Sequence, residues 1–322
     1  MYRILEILRK EDSFLSGEEI GRRLEISRAA VWKGIKKLRD GGYEIEAVTN
    51  RGYRLILKES LYNEKEIVEG LETKVLGRPL FFYDEVDSTS TVIRHLALEG
   101  APEGALAVAE RQTGARGRRG RAWQSPGGSG IWMSLLLRPT VHPTKASVLT
   151  LLMGMAVNRG IREETGLETQ IKWPNDILLN DKKLVGILTE MECEMNSISS
   201  VTMGVGINVN IHTFPEELAS LATSLYREGG RAYSRKKILQ KVLLLFEQYY
   251  QQFLEEKGDF TPFVKEYAES CQTIGREIKV LGAETFFATA LGVTEEGALR
   301  VRRADNGKEE VVFSGEVSIR GR

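Results

Sequence analysis

Cysteine is nearly absent: Cys193 and Cys271 are the two in 322 residues. Two thiols exclude a disulfide framework and a cysteine zinc site, and they point to a reducing cytosol. The three histidines, His95, His142 and His212, are scattered without metal-ligand spacing. Net charge is also absent, with 45 Lys and Arg against 45 Asp and Glu, so any affinity for nucleic acid must come from a local basic patch. No apolar run approaches the roughly 20 residues of a membrane span. Arg9, Lys10, Glu11 and Asp12 follow Met1 too closely for a signal peptide. A cytoplasmic protein without a membrane partner is expected. There is no Gly-x-x-x-x-Gly-Lys-Ser/Thr phosphate loop, no Gly-x-Ser-x-Gly elbow and no internal repeat. What remains is an ordinary globular composition, 42% hydrophobic and 28% charged, on a chain long enough for two or three domains.

The first sixty residues read as three helices and a hairpin. Ile4, Leu5 and Leu8 mark one apolar face. Ser16 opens a second helix carrying Ile20 and Leu24, and Ser27 caps a third in which Val31, Ile35 and Leu38 share a face. The opposite face of the third helix carries Arg28, Trp32, Lys33, Lys36 and Lys37. Tyr43–Val48, the turn Asn50-Arg51-Gly52 and Tyr53–Leu57 follow as a two-stranded wing with Arg51 at its tip. Basic residues exceed acidic ones only 13 to 10 here, which also suits a small helical domain with a solvated basic face. The wing favours DNA binding, with Ser27, Arg28, Ala30, Trp32, Lys33, Lys36 and Arg51 as the candidate contacts. Lys58–Lys65 is polar and unpatterned and reads as a linker.

Residues 66–270 alternate short apolar runs with amphipathic stretches. Strands are expected at Leu80–Tyr83, Ala105–Ala109, Ile131–Leu137, Thr169–Trp173, Ile177–Leu179, Leu184–Met191 and Val201–Val209. Helices are expected at Thr89–Leu98, Thr144–Glu164 and Lys236–Lys257, and Asn180-Asp181 reads as a hairpin turn. Adjacent strands joined by tight turns argue for a mixed or antiparallel sheet carrying helices.

Four clusters stand out. Between Arg111 and Arg121 lie five arginines and no acid, interleaved with Gly114, Gly117 and Gly120. Glycine exposes backbone amides and arginine holds carboxylates and phosphates, so the loop suits an anionic ligand; composition equally allows a mobile surface loop touching nucleic acid. Lys172-Trp173-Pro174-Asn175-Asp176, followed by Lys183, gathers an amide, a carboxylate and a lysine near one hairpin, with Lys183 able to face Asp176 across the ladder. Alone, it reads as a surface ion pair contributing about 0–1 kcal/mol. Gly204-Val205-Gly206-Ile207-Asn208 places glycines inside a strand, which often marks close approach by a ligand or another backbone. Asp87-Ser88-Thr89-Ser90 is a polar turn at a helix start, where hydroxyls usually cap.

In their order and spacing, these motifs resemble the biotin–protein ligases, and specifically the bifunctional bacterial type that also represses the biotin operon. The likeness covers essentially the whole chain, and the combination is far more specific than any one motif. It implies an α+β protein: a winged helix-turn-helix over 1–60, a central mixed-sheet domain over 66–270 of the class II aminoacyl-tRNA-synthetase and biotin-ligase type, and a small SH3-like β-barrel over 272–322. The barrel strands are expected around Ile278, Phe286, Leu299, Val311 and Val317. The resemblance assigns biotin to Ser88, Thr89, Ser90, Gln112, Arg116, Gly117, Arg118 and Lys183. It assigns the nucleotide to Trp123, Asn175, Asn208 and Arg320. The sequence departs from the family at Ala115, where glycine usually opens the Gly-Arg-Gly-Arg loop, and at Ser90, where some members carry asparagine. Alanine disfavours positive φ, so either position 115 is not left-handed or Gly114 takes that role.

The implied chemistry joins biotin to a lysine of a carboxylase's biotin-acceptor domain through biotinyl-5′-AMP, using ATP and Mg²⁺. Two anions must meet, so cations are required, and Lys183 and Arg118 are the candidates. Asp176 either orients Lys183 or helps deprotonate the incoming amine. The implied partners are the acceptor domain, operator DNA and, with the adenylate bound, a second copy of the chain. A lipoate-type ligase, a ligase with an inactive DNA module, and a biotin sensor without catalysis are the alternatives.

Overall fold

Helix periodicity and turn chemistry account for most of the secondary structure. The computed structural model describes residues 2–11, 13–40, 43, 45–49, 51–55, 62–194, 197–281, 284–313 and 316–319. The chain divides into two compact units, Met1–Glu66 and Ile67–Arg322.

The first unit opens with α1 (Tyr2–Lys10), α2 (Gly17–Leu24) and α3 (Arg28–Asp40). Ser16 caps α2 by accepting from Glu19 N, and Ser27 Oγ accepts from Ala30 N at 3.2 Å. Ile4, Leu5, Leu8, Ile20, Leu24, Val31, Ile35 and Leu38 meet in one core, as their spacing requires. The wing pairs β1 (Ile45–Val48) with β2 (Gly52–Leu55) antiparallel. Tyr53 also exchanges two backbone hydrogen bonds with Leu15, at 2.9 and 2.8 Å. That closeness demands Gly52, since a Cβ there would lie 2.0 Å from the Leu15 carbonyl oxygen, and its φ is +101°. Asn50 of the expected wing turn lies outside the described residues.

The expected linker needs correction at its described end. Tyr62 is buried and Lys65 lies within α4 (Glu64–Val68), while residues 58–61 fall outside the described set. Asn63 Oδ1 accepts from Glu66 N, and the fully buried Glu66 takes the Tyr43 hydroxyl. Its polarity disguised a segment that buries Tyr62 and hydrogen-bonds Asn63 to the first turn of α4.

The second unit is built on a seven-stranded mixed sheet. Its strands are β3 (Leu80–Val86), β4 (Leu106–Gln112), β5 (Gly130–Leu137), β6 (Gln170–Lys172), β7 (Asp176–Leu179), β8 (Lys182–Glu194) and β9 (Ser197–Asn208). They run in the order β3-β4-β5-β9-β8-β7-β6. Only β3 and β4 are parallel, joined by the crossover helix α5 (Thr89–Leu98), whose bounds match the sequence expectation. Asn180 and Asp181 have φ of 51° and 61°, so the expected β7–β8 turn is of the primed type that matches strand twist. The long helix α6 (Ser147–Thr165) packs on β6, β7 and β8. Its Gly154 lies beside Ile187, so Gly186 and Leu188 point to the opposite face. Two short helices, α7 (Glu216–Ala219) and α8 (Leu225–Gly229), precede α9 (Arg235–Glu255), which packs on α6, and α10 (Val264–Ser270).

The chain ends in a five-stranded antiparallel sheet: β10 (Glu277–Leu281), β11 (Thr285–Val293), β12 (Leu299–Arg303), β13 (Glu309–Val312) and β14 (Glu316–Ile319), ordered β13-β12-β11-β10-β14. All five expected strands are present, and among the described residues they pair as a sheet in that order. Trp173 joins this sheet to the central one: it is 2% exposed, its Nε1 donates to Gly297 O at 3.0 Å and its backbone N donates to Thr273 Oγ1. Among the described residues no helix is long and apolar enough to cross a membrane.

A buried carboxylate holds α9 to the chain entering the sheet. Glu247 is 6% exposed and accepts from the backbone N–H groups of Lys74, Val75 and Leu76 at 2.8, 2.8 and 2.9 Å. Glu247→Ala leaves three donors unpaired and is expected to lower stability by about 3 kcal/mol or more. Urea unfolding checks this, and an unchanged midpoint and slope would contradict it.

Candidate functional site

The site begins as a bare patch of sheet. Gly186 on β8 faces Gly206 on β9, and Gly204 faces Leu188 two pairs further on. Two side chains from elsewhere use the cleared space. The Trp123 indole lies over the first pair: a Cβ on Gly206 would stand 2.5 Å from its Nε1, and one on Gly186 2.9 Å from its ring. Ser90 reaches Gly204, where a Cβ would stand 2.8 Å from Oγ. Glycine is therefore required at both ends of the floor by close approach, and the approaching groups are protein side chains.

Above this floor opens a cavity of about 510 Å³, within the usual range for small-molecule sites. It is lined by Ser88, Thr89, Ser90, Gln112, Arg116, Gly117, Arg118, Trp123, Asn175, Asp176, Lys183 and Asn208. All candidate residues of the central domain thus come from four separate stretches to one enclosure. Arg320 lies outside the described residues; Val317 and Ser318 of β14 line the same cavity.

One end is a chain of hydroxyls. Gln112 Oε1 accepts from Thr89 N at 2.8 Å and from Thr89 Oγ1 at 3.1 Å, while its Nε2 donates to Ser125 Oγ at 3.0 Å. Thr89 Oγ1 lies 2.8 Å and Ser90 Oγ 2.9 Å from Ser134 Oγ. Ser88 stands at the N-cap of α5, yet its side chain makes no capping bond. Gln112 instead takes the Thr89 N–H, leaving the Ser88 hydroxyl to the cavity.

The other end is cationic. Lys183 Nζ lies 2.6 Å from Asp176 Oδ1 and 5.4 Å from the centre of the Trp123 ring. The two are not directly opposed, as the sequence had suggested: Lys183 faces Leu178 and Asp176 faces Gly186, with a register shift at Ile177/Leu178. The pair is diagonal, a separation that a long side chain spans. Oδ1 makes no directed hydrogen bond, so its contact with the ammonium is an oblique ion pair. Asn175 Nδ2 donates to Ile187 O at 3.0 Å, and its Oδ1 accepts from Arg118 Nη1 at 2.9 Å.

The arginine loop is a small closed hairpin. Arg116 bridges Ala122, Trp123 N donates to Ala115 O, and Gly117 N donates to Arg121 O at 2.7 Å. Ala115 and Gly114 are not left-handed, so the departure from glycine at 115 carries no backbone strain. The left-handed residues are Arg119, at φ 57°, and Gly120, at 73°. Arg119 Nη2 donates to Leu281 O of β10 at 3.4 Å.

In the first unit, Arg28, Ala30, Trp32, Lys33 and Lys36 are exposed along α3, with Trp32 56% exposed. Ser27 caps the helix as well as sitting at its exposed start. Arg51 stacks on Phe14, 4.9 Å from its ring centre, and Arg54 lies 4.6 Å from the same ring.

Sequence reading overlooked Ser134, Ser125 and Thr223. Ser134 had a detectable signal, a single hydroxyl in the otherwise apolar run Gly130–Leu137, buried completely. Thr223 had none. Its role comes from backbone contacts: its N–H donates to Lys183 O and its carbonyl accepts from Asn208 Nδ2.

Comparisons with known proteins agree with this anatomy. Residues 82–208 match the biotin/lipoate A/B protein ligase family, 1–54 an HTH domain and 273–320 the biotin protein ligase C-terminal domain. The bifunctional ligase/repressor BirA of Bacillus subtilis is 43% identical over 311 residues, covering 96% of this chain and 94% of that protein. The Escherichia coli BirA is 30% identical, covering 95% and 93%. Biotin protein ligase from Aquifex aeolicus, solved in complex with biotin and ATP, superposes with a TM-score of 0.65 at 33% identity, over 75% of this chain and 98% of that one.

The glycine floor makes a direct expectation. Gly206→Ala should push the Trp123 indole off the sheet, because the new methyl would stand 2.5 Å from Nε1 and the ring must move. Tryptophan fluorescence should then show greater acrylamide quenching, and the difference should vanish in a Trp123→Phe background. Equal quenching in wild type and variant, with unchanged circular dichroism, would refute the packing described.

Proposed function

Since the chain belongs to the biotin–protein ligase family, in its bifunctional ligase/repressor branch, we propose that it activates biotin with ATP, transfers it to a lysine of a carboxylase's acceptor domain, and represses biotin genes. The observation that carries the catalytic reading is the convergence of Lys183, Arg118 and the hydroxyl chain on one cavity. A cationic end opposite a neutral polar end suits a ligand with a carboxylate at one extremity and a ring of hydrogen-bonding groups at the other.

In the first step a biotin carboxylate oxygen attacks the α-phosphorus of ATP, and the bond to pyrophosphate breaks. Lys183 meets the carboxylate and the phosphate, and Arg118 closes over them, offsetting the repulsion between two anions. Asp176 orients Lys183, a role supported by their 2.6 Å separation. Ser88, Thr89, Ser90 and Gln112 hold the biotin rings, with Arg116 and Gly117 folding over them. Asn175, Asn208 and Arg320 serve the nucleotide, and Trp123 offers its face to the adenine. The loop excludes water from a mixed anhydride that water would hydrolyse. In the second step the acceptor amine attacks the carbonyl carbon, a C–N bond forms and AMP leaves with the former carboxylate oxygen. Among the described residues no group of three or more His, Cys, Asp or Glu could hold a metal. Mg²⁺ would accompany the nucleotide phosphates, and no step is assigned to it.

The winged unit supports operator binding. One recognition helix and one wing suffice for a half-site, so two copies related by a two-fold axis read a palindrome. The adenylate must favour the dimer for this to act as a switch, since equal affinity for both states shifts nothing.

Pyrophosphate exchange with biotin, lipoate or octanoate tests the activity. Biotin should support exchange, and Lys183→Gln should lower it roughly a hundredfold at saturating substrates, the usual loss for one transition-state charge contact. An unchanged rate removes Lys183 from the site, and exchange with lipoate alone overturns the substrate.

Operator affinity at fixed salt, measured beside sedimentation, tests the regulation. Biotinyl-adenylate should raise both the dimer fraction and operator affinity. Affinity independent of both would sink the coupling.

A further inference from the structure

Lys183 and Asn208 sit on different strands, yet both are tied to one residue. Thr223 is fully buried. Its backbone N donates to Lys183 O at 2.9 Å, while Lys183 N donates to Leu221 O at 2.8 Å. Its carbonyl accepts from Asn208 Nδ2 at 3.0 Å. The segment 221–223 is thus a short parallel rib laid against the start of β8, bridging at Lys183 and Ala222.

The rib is held by one carboxylate. Thr223 Oγ1 donates to Glu228 Oε1 at 2.5 Å, and Asn180 Nδ2 donates to Glu228 Oε2 at 2.5 Å. Asn180 is the first residue of the β7–β8 turn, three residues before Lys183. Glu228 therefore joins the turn that leads into Lys183 to the rib that grips its backbone. It stands on α8, anchored by Ser224 Oγ donating to Ile211 O and Tyr226 N donating to Val209 O. Partial burial pushes the Glu228 carboxyl up, and the hydrogen bonds from Thr223 and Asn180, with Lys182 and Arg227 nearby, outweigh it and hold it below the usual carboxylate range. Both oxygens accept, as an ionised group allows.

We propose that Glu228 is a positioning residue for the ligase reaction: its carboxylate clamps Asn180 to Thr223 and thereby sets where the Lys183 ammonium and the Asn208 amide stand on the cavity wall. It touches no substrate and acts through those two residues. The inference rests on the ligase reading above.

The test is a double-mutant cycle in biotin-dependent pyrophosphate exchange. Glu228→Ala and Thr223→Val should each lower kcat about tenfold. In a Lys183→Gln background, Glu228→Ala should cost clearly less than in the wild type, about threefold, because one of the two groups it positions is already gone. Glu228→Gln leaves one acceptor oxygen and no charge where two donors converge, and should also lower kcat. Adding Asn180→Asp restores a donor–acceptor match, tolerates the left-handed turn position, and should recover most of the rate. A merely structural role predicts lower thermal midpoints, an unmoved kcat in the folded fraction and no rescue. Equal fold-losses from Glu228→Ala in both backgrounds, or a reversed pair as slow as Glu228→Gln, would overturn the clamp while leaving the ligase reading intact. Absence of exchange by the wild-type protein with every acid offered would overturn the ligase reading, and the clamp with it.

Discussion

The active region depends on a strip of sheet cleared of side chains at three positions. Gly186, Gly204 and Gly206 leave backbone exposed on one face of the two longest strands, and everything else is arranged by what enters that gap. Trp123 is delivered to the strip by a closed hairpin loop, and Ser90 by the first turn of α5. Both are short approaches that a single Cβ would block. The opposite face of β8 is packed on α6, so that strand cannot yield by bending away.

The two ends of the cavity are built by different means. At the neutral end Thr89, Ser90, Ser134, Gln112 and Ser125 already satisfy one another. A polar ligand there exchanges one set of hydrogen bonds for another, so geometry decides the preference more than strength does. At the charged end Lys183 has Asp176 beside it, which keeps a cation available without an unpaired buried charge. Asn175 is bolted to Ile187 through both its main chain and its amide, so its carbonyl oxygen can face Arg118 in one orientation only.

The C-terminal sheet belongs mechanically to this site. Trp173 precedes Pro174 and Asn175, yet its indole is spent on Gly297 and its backbone on Thr273. The tryptophan faces the sheet partner while its neighbours Asn175 and Asp176 face the cavity. Arg119 reaches Leu281 of the same sheet from the loop. The C-terminal strands thus support both the wall and the cover of the cavity.

Local pattern alone determined a great deal here. The alternation of short apolar runs announced the mixed sheet, Thr89–Leu98 emerged with the bounds its periodicity implied, and Asn180-Asp181 made the primed turn that their tolerance of positive φ favours. The family motifs named the residues that line the cavity, because their types and order are one-dimensional information. Tertiary structure decided the rest. Lys183 meets Asp176 on a diagonal because of a register shift, which no spacing encodes. The glycines of β9 make room for residues more than eighty positions earlier in the chain, and only folding brings Trp123 and Ser90 there. Tyr62 to Lys65 looked like a polar linker until Tyr43, Asn63 and Glu66 were seen to satisfy one another. Ser134 lay hidden in an apolar strand whose neighbours in space are hydroxyls more than forty residues away. Sequence records which groups are present and at what period. Which of them share a cavity depends on contacts between distant segments, and those exist only once the chain has folded.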